Sequence, residues 1–201
     1  MIKDYNTPSI YGVGYYGIGE FRSRFEGKQT KEYVSWICML RRCYSKDALN
    51  RNNTYINSAV CTEWYNFQNF AKWFTENYNP ETMQGWHLDK DILIKGNKVY
   101  SPDTCCFVPQ DVNKIFTKSN NKRGCYPIGV TYDISNSKYL ARLNKNGKLI
   151  FIKRSESKAE AFQEYKAEKE KYIKEVADRW KGLISDRVYE ALLNYKVEII
   201  D

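Results

Sequence analysis

At 201 residues the chain is long enough for one or two domains with buried cores, and its 15% aromatic and 28% charged residues exclude a disordered polypeptide. No apolar run approaches the ~20 residues that a membrane span needs, and the start of the chain lacks the apolar core of a secretory signal, so the expected location is the cytoplasm of the host cell. The net charge of +8 is unevenly spread: residues 119–154 carry 8 Lys and Arg against a single Asp, whereas residues 155–201 carry 9 against 11 acids. Such local crowding of cations predicts a polyanion footprint.

Residues 1–29 read as an irregular Gly- and Tyr-rich arm. Gly12-Val13-Gly14-Tyr15-Tyr16-Gly17 matches a dinucleotide fingerprint in letters only, since no apolar strand precedes it and no apolar helix follows. From Thr30, Tyr33, Trp36, Ile37, Leu40 and Tyr44 fall on one helical face. Lys46 to Asn53 reads as a loop. A second helix is predicted from about Glu63, with Trp64, Phe67, Phe70, Ala71 and Phe74 on one side, ending at Tyr78-Asn79-Pro80. Trp86 to Ile94 reads as a strand, Lys95 to Lys98 as a turn, Cys106 to Pro109 as a strand and Gln110 to Thr117 as a helix. A basic linker at 119–127 is the expected domain boundary.

Three short strands are then predicted, Ile128 to Tyr132, Tyr139 to Asn144 and Lys148 to Lys153, the last two joined through Asn146-Gly147, a strong hairpin signal. A long helix capped by Ser157 follows, then a shorter one from Asp186 to Tyr195. The expected class is α+β. The six cysteines contain no CxxC pair. They read as reduced, buried, small apolar residues rather than as a zinc site built from Cys43, Cys61 and Cys105, so no structural zinc is expected.

The lone histidine, His87, alternates along a predicted strand with Asp89 and Asp91, and a hairpin leads from them to Asn113 on the next helix. Imidazole, carboxylate and amide oxygen so arranged suit one divalent cation and an activated water, the imidazole acting as base. On spacing alone, a structural histidine and solvated aspartates explain the same residues.

The ordered string Trp36-x-x-Met39-x-x-Arg42-Cys43-Tyr44, Val60-Cys61-x-Glu63-Trp64-x-x-Phe67-x-x-Phe70, Leu88-Asp89-Lys90-Asp91, Gly96-Asn97, Tyr100-Ser101-Pro102 and Cys105 resembles the phage HNH-type (His-Asn-His) homing endonucleases over about residues 30–118. The resemblance implies a ββα-metal core with preceding helices, Asp89 and Asn113 as ligands of Mg²⁺ or Mn²⁺, and cleavage of double-stranded DNA. Two positions depart from the family pattern: Lys90 stands where active members often place the base histidine, and Thr104 where the middle Asn is expected. His87 as base and Lys90 as phosphate contact are the catalytic candidates. The alternative is a decayed nuclease scaffold acting as a DNA-binding regulator or anti-defence inhibitor, with a host protein as a further partner.

Residues 128–180, with Gly129-Val130, Tyr139-x-Ala141-Arg142-Leu143, Asn146-Gly147-Lys148 and Ala159-x-Ala161-Phe162-x-x-Tyr165, resemble the APETALA-type DNA-binding domain. That implies a three-stranded antiparallel sheet in the major groove, backed by a helix. Alternation puts Arg142 and Asn144 toward base edges, with Phe151 and Lys153 outward on the last strand. Lys122, Arg123, Lys145, Lys148 and Arg154 are expected at phosphates. Residues 181–201 complete the chain as a helix and tail.

Overall fold

The structure is a computed structural model that describes residues 5–51, 55–116, 125–199 and 201. Its α+β chain divides into two compact units, Met1–Val108 and Pro109–Asp201. None of the described helices is long and apolar enough to cross a membrane.

In the first unit a two-residue ribbon, β1 (Arg24–Phe25) and β2 (Lys28–Gln29), leads into α1 (Lys31–Tyr44), α2 (Lys46–Arg51), β3 (Ala59–Val60), a 3₁₀ turn (Thr62–Tyr65) and α3 (Phe67–Asn77). Then come β4 (His87–Asp89), β5 (Val99–Tyr100) and β6 (Cys106–Val108). β3 pairs in parallel with β5, and β4 pairs antiparallel with β6. The apolar face of α1 meets that of α3: Trp36, Met39, Leu40, Trp64, Phe67 and Phe70 are all fully buried. The Trp36 indole N–H donates to the Trp64 carbonyl at 2.7 Å, so the largest side chain of α1 also ties down the 3₁₀ turn.

Two expectations need correction here. The polar run after Tyr44 is helical rather than a loop, because the Ser45 hydroxyl accepts from the Ala48 amide and Asp47 sits in the first turn. The second helix starts at Phe67 rather than Glu63, because extended Asn66 caps it through the Gln68 amide at 2.9 Å. The irregular early Gly/Tyr segment is tied to the turn and helix that follow. Tyr15 exchanges backbone bonds with Tyr65 and Phe67, and the Gln68 side chain holds both the N–H and the carbonyl of Phe21. Gly17 stands in the left-handed region at φ +68, and a Cβ there would run into Asn66, the helix cap. Of the glycines in the false fingerprint, Gly14 and Gly17 are packing glycines, set against Leu40 and Asn66, whereas Gly12 stands in open space at φ +78.

The second unit holds α4 (Gln110–Ile115), β7 (Val130–Asp133), β8 (Lys138–Lys145), β9 (Lys148–Ser155), α5 (Lys158–Arg179) and α6 (Asp186–Leu193). The strands form one antiparallel sheet in the order β7-β8-β9. Asn146 and Gly147, at φ +51 and +80, make the tight β8–β9 turn. Ser157 caps α5 through the Glu160 amide, and Ala161, Phe162, Tyr165, Tyr172 and Ile173 are buried along it, as are Val130, Ala141 and Leu143 of the sheet.

The division at Val108 lies ahead of the linker expected at 119–127, because α4 is anchored to α5. The Trp180 indole and the Arg179 guanidinium both reach Asp111, and the Lys169 ammonium donates to the Ile115 carbonyl at 2.7 Å. Burial pushes Lys169 down to about 8. Residues 119–124 of the expected linker, with Lys122 and Arg123, lie outside the described residues.

Candidate functional site

The predicted strand Trp86 to Ile94 ends early, and the reason is Asp89. Its Oδ1 accepts from the amides of Asp91 and Ile92, both at 2.8 Å, which turns the chain out of β4. The shared face is therefore confined to His87 and Asp89, and Asp91 is not on it. Asn97 closes the same loop, its amide donating to the carbonyls of Lys90 at 2.6 Å and Val99 at 2.7 Å. Thr104 likewise serves a turn, donating to the Val99 carbonyl at 2.7 Å.

Lys90 requires a correction. Its side chain is buried, with Nζ bonded to Asp91 Oδ2 at 3.0 Å and to the Asn97 carbonyl at 3.1 Å, and it lies 5.7 Å from the Tyr100 ring centroid. An ammonium folded inward onto a carbonyl and a ring pins the loop. It does not face outward for a scissile phosphate.

Burial, and then the neighbouring Asp91 carboxylate, push Asp89 up to about 6, against the opposing pull of its two amide bonds. The ordinary value is about 3.9. Because the folded value lies above the unfolded one, this group adds no penalty below about pH 4, an increasing one up to about pH 6, and the full one above. Asp89→Asn keeps an oxygen for both amides and removes the charge. It is expected to stabilise the first unit by about 2 kcal/mol at pH 7 and by almost nothing at pH 4. Urea unfolding at the two pH values tests this, and equal effects at both would contradict it.

A hard divalent cation takes about six oxygen ligands. In the first unit the β4 face offers His87 and Asp89, and one Asp89 oxygen is already committed. Asn113 belongs to α4 of the second unit. Among the described residues no group of three or more His, Cys, Asp or Glu is disposed to hold a metal. The donors described on β4 do not by themselves complete a cation site. All six cysteines are free, and burial raises Cys43 to about 11 and Cys105 to about 12, which keeps these thiols protonated.

The sheet of the second unit offers a different kind of surface. Paired residues on adjacent antiparallel strands point to the same side. Arg142 pairs with Phe151, Asn144 with Leu149, and Leu140 with Arg154, all on the face away from the buried Ala141 and Leu143. Asp133, Leu140, Arg142, Leu149, Phe151 and Arg154 line a shallow depression of ≈ 540 Å³ on this open face. Leu149 and Phe151 are 64% and 54% exposed, so the face is apolar as well as cationic.

The register shifts between Ala141 and Arg142, whose partners are Lys153 and Phe151, leaving Ile152 as a bulge. That bulge corrects Lys153, which was expected to point outward. Lys153 shares the side of Ala141, and its ammonium donates to Glu164 of α5 at 2.5 Å. Lys145 also turns from its expected phosphate role, reaching Glu175 of α5 at 3.2 Å, and Lys138 pairs with Glu156. Lys148 remains exposed at the hairpin. Of the eight cations in residues 119–154, Lys138, Lys145 and Lys153 are thus matched by acids of the following segment, and the open face carries Arg142 and, beside Asp133, Arg154.

Leu140, Leu149 and Asp133 were missed as face residues. The run Leu149-Ile150-Phe151-Ile152 is continuously apolar, so it carries no period-two phase from which to read the face. Comparison of the chain with protein-family models, curated proteins and solved structures found no match.

Proposed function

We propose that this chain is a DNA-binding protein whose second unit grips duplex DNA with the open face of β7–β9. The observation that carries the reading is the composition of that face: Arg142 and Arg154 beside Asn144, with exposed Phe151 and Leu149, on a sheet whose opposite side is packed against α5. Two guanidiniums suit guanine O6/N7, the amide suits adenine, and the ring suits a thymine methyl. The outer strands lie ~10 Å apart, comparable with the ~12 Å major groove. The likeness of residues 128–180 to the APETALA-type domain supports the same reading, with Lys148, Lys122 and Arg123 as phosphate contacts.

Arg142→Ala is expected to weaken binding to a duplex selected from a randomised pool by about 10- to 100-fold (about 1–3 kcal/mol) and to relax one base preference. Lys145→Ala, whose ammonium is bonded to Glu175, should leave affinity within about twofold. Equal affinity for wild type and Arg142→Ala in an anisotropy titration would reject the assignment of this face.

In this reading the first unit is an HNH-like scaffold that serves DNA binding or a regulatory, anti-defence role. A second reading, metal-dependent cleavage of double-stranded DNA, is favoured by one observation: β4 carries the His87 imidazole and, on the same face, the Asp89 carboxyl that burial pushes up to about 6. A bound Mg²⁺ or Mn²⁺ would supply electrostatic stabilisation of the phosphoryl charge. Plasmid nicking with either ion, abolished by Asp89→Asn, is the result this reading expects. Absence of nicking by wild type under both ions rejects it and leaves the binding proposal standing.

A further inference from the structure

We infer that Arg154 reads a base, with Asp133 as its positioning residue and the Ile152 bulge as the device that aims it; this rests on the DNA-binding reading above. Strict alternation from Phe151 through a regular strand would send residue 153 to the open face and residue 154 to the helix side. The extra residue at Ile152 inverts that order and sets Arg154 opposite Leu140, on the open face.

Once there, the guanidinium is held from two sides. Its carbon lies 5.8 Å from the Phe151 ring centroid, and its Nη2 is 3.8 Å from Asp133 Oδ2. Asp133 is itself fixed, because its carboxylate accepts from the Ser135 amide at 3.1 Å and from the Asn136 side chain at 2.8 Å. The Arg154 side chain stays 57% exposed while Asp133 is only 19% exposed. One end is thus anchored, and the rest of the donor fork remains available.

The carboxylate also decides what that fork accepts. A phosphate oxygen approaching Arg154 meets the like charge of Asp133 within a few ångströms, and at that range the repulsion offsets much of the attraction. A guanine edge is neutral and presents two acceptors, so it uses the fork without that opposition. Arg154 therefore differs from a rim phosphate contact in both placement and chemistry. Arg142 sits two residues farther along β8 than Leu140, the partner of Arg154. That is ~7 Å along the strand, or roughly two base-pair steps at ~3.4 Å each.

The test is selection of duplexes from a randomised pool by the full chain, in wild type, Arg154→Ala, Arg154→Lys and Asp133→Asn forms, with affinities of the winners measured over a salt series. Arg154→Ala and Arg154→Lys should both lose one guanine preference, by about 10- to 100-fold. The lost position should lie two or three base pairs from the one that Arg142→Ala relaxes. Asp133→Asn should broaden that same position while binding unselected duplex at least as tightly as wild type. A uniform loss across all sequences in Arg154→Ala, with the salt slope falling by about 1, would overturn the inference in favour of a phosphate contact, and DNA binding by this face would survive. A wild type that enriches no duplex removes the binding proposal, and this inference with it.

Discussion

Trp36→Ala is expected to unfold the first unit or leave it marginal. The side chain has no solvent exposure and contacts Tyr33 and Phe67 with ring centroids 6.0 and 5.4 Å away. Truncating a buried Trp costs about 3–5 kcal/mol through lost burial and the cavity left behind. The Trp64 carbonyl, which accepts the indole N–H at 2.7 Å, then loses its partner inside the core, adding about 1–3 kcal/mol. Domain stabilities are about 5–15 kcal/mol in all, so the sum takes up most of the available margin. Trp36→Phe separates the two contributions, since it retains much of the ring and still orphans the carbonyl. Urea titration should rank the proteins wild type, Trp36→Phe, Trp36→Ala in falling midpoint. An unfolding free energy for Trp36→Ala within about 1 kcal/mol of wild type would mean that α1 and α3 do not pack around this residue as described.

The second large effect is expected at Gly129. This residue stands at φ +74 immediately before β7, and a Cβ added there would run into the Tyr165 ring of α5. Its carbonyl also accepts the Arg142 amide at 2.8 Å, so displacement at this point is passed directly to the strand that carries the proposed DNA contacts. Gly129→Val combines the cost of a left-handed β-branched residue, about 1–2 kcal/mol, with overpacking against a buried ring, about 1–3 kcal/mol. Gly147→Ala supplies the contrast, because that residue has φ +80 and nothing near the added Cβ. It should show only the backbone cost of about 1 kcal/mol, with unaltered DNA affinity. If the two variants lost equal stability, the close approach of Gly129 to Tyr165 would not be a constraint on the fold.

Where local chemistry dictated structure, it was legible in the residues. Asn146-Gly147 marked the β8–β9 turn, Ser157 marked the start of α5, and the Tyr33/Trp36/Leu40 stripe marked the buried face of α1. What escaped was set by polar side chains turning onto particular backbone and ring partners. Asp89 cuts its strand short by bonding its own downstream amides, and Lys90 turns inward because the Asn97 carbonyl and the Tyr100 ring offer it partners. Neither event has a period to read. The single-residue bulge at Ile152 mattered most for the candidate site. One unpaired position exchanged the faces of Lys153 and Arg154, turning Lys153 toward Glu164 of α5 and Arg154 to the open face. Charge crowding likewise misled in part, because sequence distance hid the glutamates of α5 that meet Lys145 and Lys153.

The open face of β7–β9 is proposed to meet a polyanionic groove. The most direct test is the affinity of the full chain for mixed-sequence duplex DNA between 50 and 200 mM salt. Measurable binding is expected in dilute buffer, weakening steadily with added salt as counterions compete for the phosphates, and lost when Arg142 and Arg154 are both changed to Ala. No binding at the lowest salt, or binding untouched by the double substitution, would contradict the proposal.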